Sequence, residues 1–339
     1  MNVLGIETSC DETSVSVVRN GKNVLSNEVA SSIEFHKIYG GVVPEIASRM
    51  QLETIVKVAK FALKKAKLSL LDIDLVCVTD KPGLPGSLLI GIGFARSISE
   101  ALRVPLLGVD HVLSHIYANF LDRQGVKFPF VALVASGGHT SLFYARDFDR
   151  FTILGETQDD ACGEAFDKVA KILGLGYPGG PLIEKLAKKG GRRKIIFRCS
   201  NTEQPLNFSF SGIKTAVLYY VKKHIDARSS MLDIRKRRGS RIQYRGSIVA
   251  DIAASFQETV IETLIRKSFQ ACDLKKVDQL VCGGGVVVNN RLRERFLEAS
   301  KQKGIKCYFP SRGLSMDNAA MVAGLGYRLF KKRGEHAYG

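Results

Sequence analysis

The sequence predicts an α/β protein with two similar halves and a cleft between them. An apolar hairpin with a small, hydroxyl-rich turn occurs at residues 3–18 and again at 130–145, which indicates an internal duplication. Segments typical of strands and helices alternate from residue 75 onward. With 339 residues, 45% of them hydrophobic, the chain is long enough for two domains with a substantial core.

The first half opens with two short runs rich in β-branched residues, which favour strands, on either side of the polar segment 7–14. From Pro44 to Ala66 apolar residues recur every three to five positions, as expected for one face of a long helix. The predicted elements are strands at 3–6 and 15–18, that helix, a buried strand at 75–79, a stiff loop at 81–86 and a helix at 87–102.

The second half repeats the hairpin and adds glycine-bearing turns. Asp159 and Asp160 are expected to cap the helix that follows them. Three glycines at 283–285, between a strand and a helix, would let the backbone approach a nucleotide, although such a run also fits a tight packing turn. The predicted elements are strands at 130–135, 141–145 and 279–282, and helices containing Ala161, Glu184, Thr215, Phe256, Leu292 and Ala319.

A pair of histidines lies in the segment 110–115. On a helix, His111 and His115 are one turn apart on the same face and both reach a single metal ion. Two imidazoles do not complete a coordination shell, so a third ligand must come from elsewhere. Val112 stands where zinc proteases carry a glutamate. The spacing alone leaves a second interpretation open, namely two half-exposed helix histidines.

The formal charge of +17 is concentrated in one segment. Residues 185–245 contain 17 Lys and Arg against three acids, a net charge of +14. A polyanion such as RNA is the natural partner of this charge density. A solvated loop is the alternative, particularly for the run 235–238.

The cysteine usage and the absence of long apolar runs indicate a cytoplasmic protein. Seven cysteines are scattered without a CxxC pair, which favours reduced thiols. Met1 and Asn2 lead directly into an apolar strand without a basic leader, and no apolar run approaches the length that spans a membrane. We therefore expect a cytoplasmic location without membrane insertion.

Taken together, eight ordered segments resemble the bacterial tRNA threonylcarbamoyltransferase family, TsaD or Gcp, over residues 3 to about 325. The segments are GIETSCDETSVSVV at 5–18, YGGVVPEIASR at 39–49, HVLSH at 111–115, SGGHT at 136–140, DDACGEAFDKVAKILGLGYPGGP at 159–181, FSFSGIKTA at 208–216, GGGVVVNNRLR at 283–293 and MDNAAM at 316–321.

The resemblance implies an actin-like ATPase (ASKHA) fold with two duplicated ribonuclease H-like subdomains and an interdomain cleft. We place the N-terminal subdomain at 1–128, the C-terminal one at 129–325 with a basic insertion at about 221–247, and a basic tail at 326–339. The implied reaction transfers the threonylcarbamoyl group from threonylcarbamoyl-AMP to N6 of the adenosine 3′ to the anticodon. The tRNAs concerned read codons beginning with A.

The resemblance also implies the site residues. His111, His115 and Asp317 match the ligands of one divalent metal ion per subunit, described in the family as iron, sometimes zinc. Our own hypothesis adds Asp11 and His139, on the two hairpin turns, which would orient the adenylate or accept a proton, with a purely geometric role as the alternative. Residues matching those that hold the adenylate or ATP-type nucleotide are Val134, Ala135, Ser136, Gly137, Gly138, Asp167, Gly180, Glu184 and Asn289.

The implied partners are tRNA, a paralogous TsaB-like subunit, a TsaE-like ATPase and a TsaC-type synthase that makes threonylcarbamoyl-AMP. The helix face at 55–63 would contact the paralogue, with core packing as the alternative. Two positions depart from the family pattern: Gln51 replaces the usual histidine, and Lys81 replaces a glycine. The basic stretch 228–245 matches no motif.

Three other functions remain to be weighed against the transferase. A metalloprotease fits the histidine spacing but lacks an adjacent glutamate to act as general base. A sugar or small-molecule kinase fits the phosphate-binding turns but leaves the histidine pair unexplained. A nucleic-acid-binding module without chemistry would rest on the basic segment alone.

Overall fold

The computed structural model describes residues 1–122, 125–226 and 238–336. Most of the predicted RNA-binding run, at 235–237, lies outside these residues. Within them the chain forms two five-stranded mixed sheets. The strands are β1 (Asn2–Glu7), β2 (Glu12–Arg19), β3 (Asn23–Ser31), β4 (Leu75–Lys81) and β5 (Leu106–Asp110) in the first sheet, and β6 (Phe130–Ala135), β7 (Thr140–Asp147), β8 (Arg150–Glu156), β9 (Gln279–Gly283) and β10 (Lys306–Tyr308) in the second.

Several helices connect and cover these sheets. They are α1 (Ile33–Lys37), α2 (Pro44–Ala66), α3 (Pro85–Leu102), α4 (His111–Leu121), α5 (Cys162–Ile172), α6 (Gly179–Ala187), α7 (Ser211–Val221), α8 (Arg238–Lys275), α9 (Asn290–Lys303), α10 (Arg312–Ser315) and α11 (Ala319–His336). Short 3₁₀ turns occur at Leu70–Asp72 and Gly285–Val288, and a π-helical turn at Lys222–Asp226 follows α7.

The two sheets have the same topology. The first has the order β3-β2-β1-β4-β5, and the second, written from its other edge, has the order β8-β7-β6-β9-β10. In each, the first three strands in the chain form antiparallel pairs and the next two add in parallel. The duplication predicted from the two hairpins is therefore confirmed by strand order and direction.

Two helices lie between the sheets, and each packs against the sheet of the other half. Helix α4 follows β5, yet Val112 and Ile116 pack with Phe130 and Val134 of the second sheet. Tyr117 of the same helix packs toward the first sheet, because α4 is apolar on two faces. Helix α11 follows β10 and packs Met321 and its neighbours on the first sheet. The starts of α4 and α11 thus meet between the halves.

This exchange of helices bears on the predicted domain boundary at 325. The sequence assigned residues up to 325 to the second half, but residues 320–325 belong to the core of the first sheet. The predicted basic tail from 326 continues helix α11 as far as residue 336. The boundary near 128 remains a prediction.

The predicted cap of α5 is wrong. Asp159 instead accepts hydrogen bonds from the backbone N–H of Phe210, at 2.8 Å, and from the hydroxyls of Ser209 and Ser211. Asp160 forms ion pairs with Lys168 and Lys214. Both acids are thus used to hold the 208–216 segment beside α5, a long-range role that a local capping rule does not reveal.

Three further sequence expectations can be compared with the structure. All seven cysteines are free thiols. Across the described ranges, helices of the length and apolarity needed to cross a bilayer are absent. The side of α2 proposed for partner contact is largely core, since Ile55, Ala59 and Leu63 are buried against the first sheet.

Candidate active site

Three side chains from the starts of the two central helices converge between the halves. His111 and His115 lie one turn apart at the start of α4, and Asp317 lies two residues before α11. Asp317 Oδ1 is 3.2 Å from His115 Nε2 and 3.7 Å from His111 Nε2. One donor atom from each residue lies within 4.8 Å of the others.

The His111 ring is held by groups on its other nitrogen. Nδ1 is 3.0 Å from Glu7 Oε2 and 3.1 Å from Ser9 Oγ. Glu7 is buried at the end of β1, and its carboxylate also accepts hydrogen bonds from Thr79 Oγ1 and the Ser9 N–H. A carboxylate behind a ligating histidine is a common second contact in metal sites, because it fixes the ring and its tautomer. Nε2 of His111 is left to face Asp317.

The donor set fits a metal ion. Nε2 of His115 is buried and lacks a hydrogen bond of acceptable geometry within the described chain, although Asp317 Oδ1 is close. Two groups that lie close without a good hydrogen bond suit ligands that point at a common centre. Two imidazoles and one carboxylate are the donors of non-haem iron(II) sites and of several zinc sites.

Burial and nearby charges perturb the pKa values of His111, Asp317 and Glu12. Burial lowers the pKa of His111, but the charges of Glu7 and Asp317 outweigh burial and raise this pKa to about 9. Burial raises the pKa of Asp317, but the two histidines hold it well below the usual range. Burial and the nearby Asp317 and Asp11 raise the pKa of Glu12 well above its ordinary value. The surplus of carboxylates favours a cation at this position.

The turn of the first hairpin lies beside this triad. Asp11 is buried, and its carbonyl oxygen accepts hydrogen bonds from the backbone N–H and the hydroxyl of Ser32. Burial and the Asp11 charge raise the pKa of the Cys10 thiol, which therefore stays protonated at neutral pH. Asp11 and Glu12 also raise the pKa of Tyr177 in the second half, after burial as the main cause. The turn therefore faces both the triad and the second half.

The turn of the second hairpin approaches the triad from the opposite side. The centroid of the His139 ring lies 6.4 Å from that of His111. Burial, followed by the charges of His111 and His115, lowers the pKa of His139. Two hydrogen bonds close the turn. The Ser136 N–H donates to His139 O at 2.8 Å, and the His139 N–H donates to Ser136 Oγ at 3.1 Å. A neutral imidazole is thereby presented between the triad and the glycine turns.

The glycines matched to the nucleotide site leave open space. A Cβ at Gly137, Gly138 or Gly180 would meet no atom within 4 Å. Gly284 is different, since its φ of 93° and the carbonyl of Ala135 exclude a side chain. Val134 and Ala135 are buried at the end of β6, where Val134 pairs with Gly283. The backbone at Gly137, Gly138 and Gly180 is thus open to close approach by a ligand.

Asp167 lies on the same side of the cleft. Its Oδ1 accepts a hydrogen bond from the N–H of Gly179 at 2.7 Å. Burial raises its pKa to about 6; the Gly179 hydrogen bond opposes this shift, and the charges of Glu164 and Asp11 add to it by smaller amounts. A half-buried carboxylate beside open glycines is well placed to accept hydrogen bonds from a ligand.

Glu184 and Asn289 lie farther along this surface. Glu184 Oε1 accepts hydrogen bonds from the backbone and side-chain N–H groups of Asn290, the latter at 2.6 Å. Asn289 caps α9 through the Leu292 N–H, at 2.9 Å, and donates to Gln257. Glu184 and Asn290 line a cavity of about 130 Å³ together with Gln257 and the cationic Lys188, Arg192 and Arg291.

The structure also adds residues that the sequence reasoning left without a role. Glu7 and Glu12 were part of a quoted motif, and Tyr177 of a rigid turn. One local signal existed for Glu7, because it ends a strand whose residues 3–6 are apolar or glycine. Glu12 and Tyr177 offered no such signal, since their importance depends on the approach of the two halves.

Comparison with known proteins gives a consistent result. The family model of TsaD, tRNA N6-adenosine threonylcarbamoyltransferase, matches residues 23–324. Proteins of that name are 50% identical in Dictyoglomus turgidum, 47% in Clostridium botulinum strain 657 and 46% in Syntrophus aciditrophicus. The matches cover 98%, 96% and 98% of this chain and 94%, 92% and 93% of the respective relatives.

Solved structures with little sequence identity share the fold. HypF from T. kodakarensis superposes with a TM-score of 0.62 at 13% identity, over 98% of this chain and 48% of HypF. Component A of the (R)-2-hydroxyglutaryl-CoA dehydratase of Acidaminococcus fermentans gives 0.54 at 15% identity, over 98% and 99%. The predicted actin-like ATPase fold is confirmed.

Proposed function

The chain belongs to the tRNA N6-adenosine threonylcarbamoyltransferase family and is a transferase, and from this premise we propose the chemistry of its site. The substrates are threonylcarbamoyl-AMP and the adenosine 3′ to the anticodon in tRNAs that read codons beginning with A. N6 of the adenosine forms a bond to the carbamoyl carbon. The bond from that carbon to the phosphate oxygen breaks, and AMP leaves as N6 loses one proton.

The observation that carries this proposal is the proximity of the triad to the open glycine turns. The SGG turn that carries His139 contacts the start of α5, since the N–H of Gly163 donates to Ser136 O at 3.1 Å. His139 in turn lies beside His111. An adenylate bound along Gly137, Gly138 and Gly180 would direct its acyl group toward the triad. The site contributes mainly positioning and charge stabilisation, because a mixed anhydride is already activated.

We propose that His111, His115 and Asp317 hold one divalent metal ion. Iron(II) is our first choice from the donor set, with zinc as the alternative. When bound, the metal supplies Lewis-acid chemistry toward oxygens of the threonylcarbamoyl group. Glu7 keeps the His111 ring in place, and the cluster of carboxylates neutralises the ion.

We propose that His139 accepts the proton released by N6. Its lowered pKa leaves the ring neutral at physiological pH, as a proton acceptor requires. Asp11 is oriented by the turn that Ser32 holds, and would position the adenylate. Val134, Ala135, Ser136, Asp167, Glu184 and Asn289 complete the proposed nucleotide site with the glycines.

The proposed partners are tRNA, a TsaB-like paralogue, a TsaE-like ATPase and a TsaC-type synthase, all acting in the cytoplasm. We place the contact with the paralogue on the exposed side of α2. Leu52 and Val56, one turn apart, are 63% and 47% exposed there. An exposed apolar face on a long helix is suited to pairing with a helix of a partner.

A reconstituted reaction tests this function. Purified protein with its three protein partners would receive threonylcarbamoyl-AMP and a tRNA with adenosine after the anticodon, followed by nucleoside analysis. We expect threonylcarbamoyladenosine and an equal amount of AMP. A matched tRNA with guanosine at that position should remain unmodified. Peptide hydrolysis or phosphorylation of a small molecule, without tRNA modification, would contradict the assignment.

A further inference from the structure

Gln51 lies directly beneath the turn that joins β1 and β2. Its side chain is buried in helix α2, with 1% of the residue exposed. The amide nitrogen Nε2 is 3.3 Å from Thr8 O, 2.9 Å from Cys10 O and 3.1 Å from Glu12 O. One side-chain nitrogen therefore contacts three carbonyl oxygens of the turn.

The geometry requires a hydrogen-bond donor at this position. Three carbonyl oxygens that converge on one point away from bulk water repel one another unless a donor lies between them. The amide has two N–H groups and shares them among the three oxygens. Its own oxygen, Oε1, is buried and has no hydrogen-bond partner within the described residues. The side chain thus donates to the turn while its own Oε1 stays without a hydrogen bond among the described residues.

The turn that Gln51 holds carries much of the candidate site. Ser9 contacts His111 Nδ1, and Asp11 lies close enough to affect the pKa values of Asp167 and Tyr177 across the cleft. The residues between the Gln51 contacts are therefore those that face the metal ligands and the nucleotide side. A shift of the carbonyls would move both.

We propose that Gln51 is a positioning residue for the proposed transfer reaction: by donating to Thr8, Cys10 and Glu12 it fixes the turn that places Asp11 against the adenylate. This inference rests on the proposed function. It also explains how the chain accommodates glutamine where the family pattern has histidine, since either side chain offers an N–H to the carbonyls.

Two variants separate the donor from the shape of the side chain. Q51M keeps the length and volume of glutamine but removes the donor, whereas Q51H restores one N–H. Thr54→Val is the matched control: Thr54 lies one turn later on α2, and its Oγ1 is 3.2 Å from Thr13 Oγ1, outside the turn. We expect Q51M to raise the KM for threonylcarbamoyl-AMP at least tenfold and to leave the KM for tRNA unchanged. Q51H should return the KM for threonylcarbamoyl-AMP to near the wild-type value, and T54V should leave this KM unchanged.

A loss of folded protein would give a different pattern, because it lowers kcat in proportion to the folded fraction and leaves both KM values unchanged. That pattern for Q51M would overturn the inference. Hydrogen exchange provides a readout without activity: the amides of residues 8–12 should exchange faster in Q51M than in wild type, with the rest of the chain unchanged. If the wild type shows no transfer but exchange changes as expected, the proposed reaction fails and the structural role of Gln51 stands. Unchanged exchange in Q51M would remove that role.

Discussion

Glu7 Oε2 lies 3.0 Å from His111 Nδ1, so a buried carboxylate at the end of the first strand orients a ring at the start of α4. These residues are 104 positions apart in the chain. The pair connects the first sheet to the ligand set completed by Asp317. Burial of both partners makes the contact rigid, and a rigid ring offers its Nε2 in one direction only.

Replacing Glu7 by Gln should therefore weaken metal binding 10- to 100-fold, because the amide cannot supply the carboxylate's charge behind the imidazole. The measurement is a metal titration of the purified variant in competition with a chelator. Glu28→Gln is the control, since Glu28 of strand β3 forms an ion pair with Lys65 of helix α2, away from the triad. Equal metal affinity in E7Q and wild type would show that the contact serves packing alone.

Asp167 should make stability depend on pH. Its pKa is about 6 in the folded protein against 3.8 as the ordinary value, so its contribution to stability is full below about pH 3.8 and is lost as the pH rises through 6. Asp167→Asn keeps an acceptor for Gly179 and avoids the buried charge. We expect the nucleotide-free variant to match wild type near pH 4 and to gain up to about 3 kcal/mol above pH 6.5.

Thermal unfolding across this pH range checks the prediction for Asp167. Asp273→Asn is a suitable control, because Asp273 is an exposed carboxyl paired with Lys303. A gain that is constant with pH, or a loss of stability at pH 7, would contradict the account. The same variant should bind nucleotide more weakly, which would place Asp167 among sites that exchange stability for function.

The exposed face of α2 should be required for a partner and not for folding. Val56→Glu should change the free energy of unfolding by no more than about 0.5 kcal/mol, because the side chain is exposed. It should abolish co-elution with the paralogous subunit. Leu297→Glu, at a 46% exposed position on α9, serves as the control. Retained association in V56E would move the interface elsewhere.

The basic run 235–238 should contribute sequence-independent affinity for tRNA. Changing all four residues to Gln should weaken binding and lower the salt slope by about 3, since each phosphate contact contributes roughly 0.7–0.9. The control changes four exposed lysines of the second half, Lys276, Lys301, Lys303 and Lys306, to Gln. An unchanged slope for the 235–238 variant would make the run a solvated segment or a site for a protein partner.

The sequence predicted the duplicated fold correctly because each half repeats a local pattern. Hairpins of apolar strands, and strands followed by glycine turns, depend on neighbours in the chain. The exchange of α4 and α11 between the sheets was not predictable in this way. It depends on which apolar faces meet, and α4 is apolar on two of them.

The site also combines features that a local pattern predicts with features that depend on distant parts of the chain. The spacing of His111 and His115 indicated two ligands, but spacing could not supply the third, which is about two hundred residues away. Asp317 came only from the family resemblance, and the structure now places its carboxylate beside both rings. Gln51 and Glu7 hold the site from behind, and their roles depend on distances that no local pattern contains.

We propose that this triad holds the metal needed for threonylcarbamoyl transfer. The most direct measurement is the metal content of wild type and Asp317→Asn, determined beside tRNA modification with threonylcarbamoyl-AMP in the same preparations. We predict about one metal ion per wild-type chain with active transfer, and the loss of both in a folded D317N variant. A D317N variant that keeps its metal, or that modifies tRNA without one, would contradict the account.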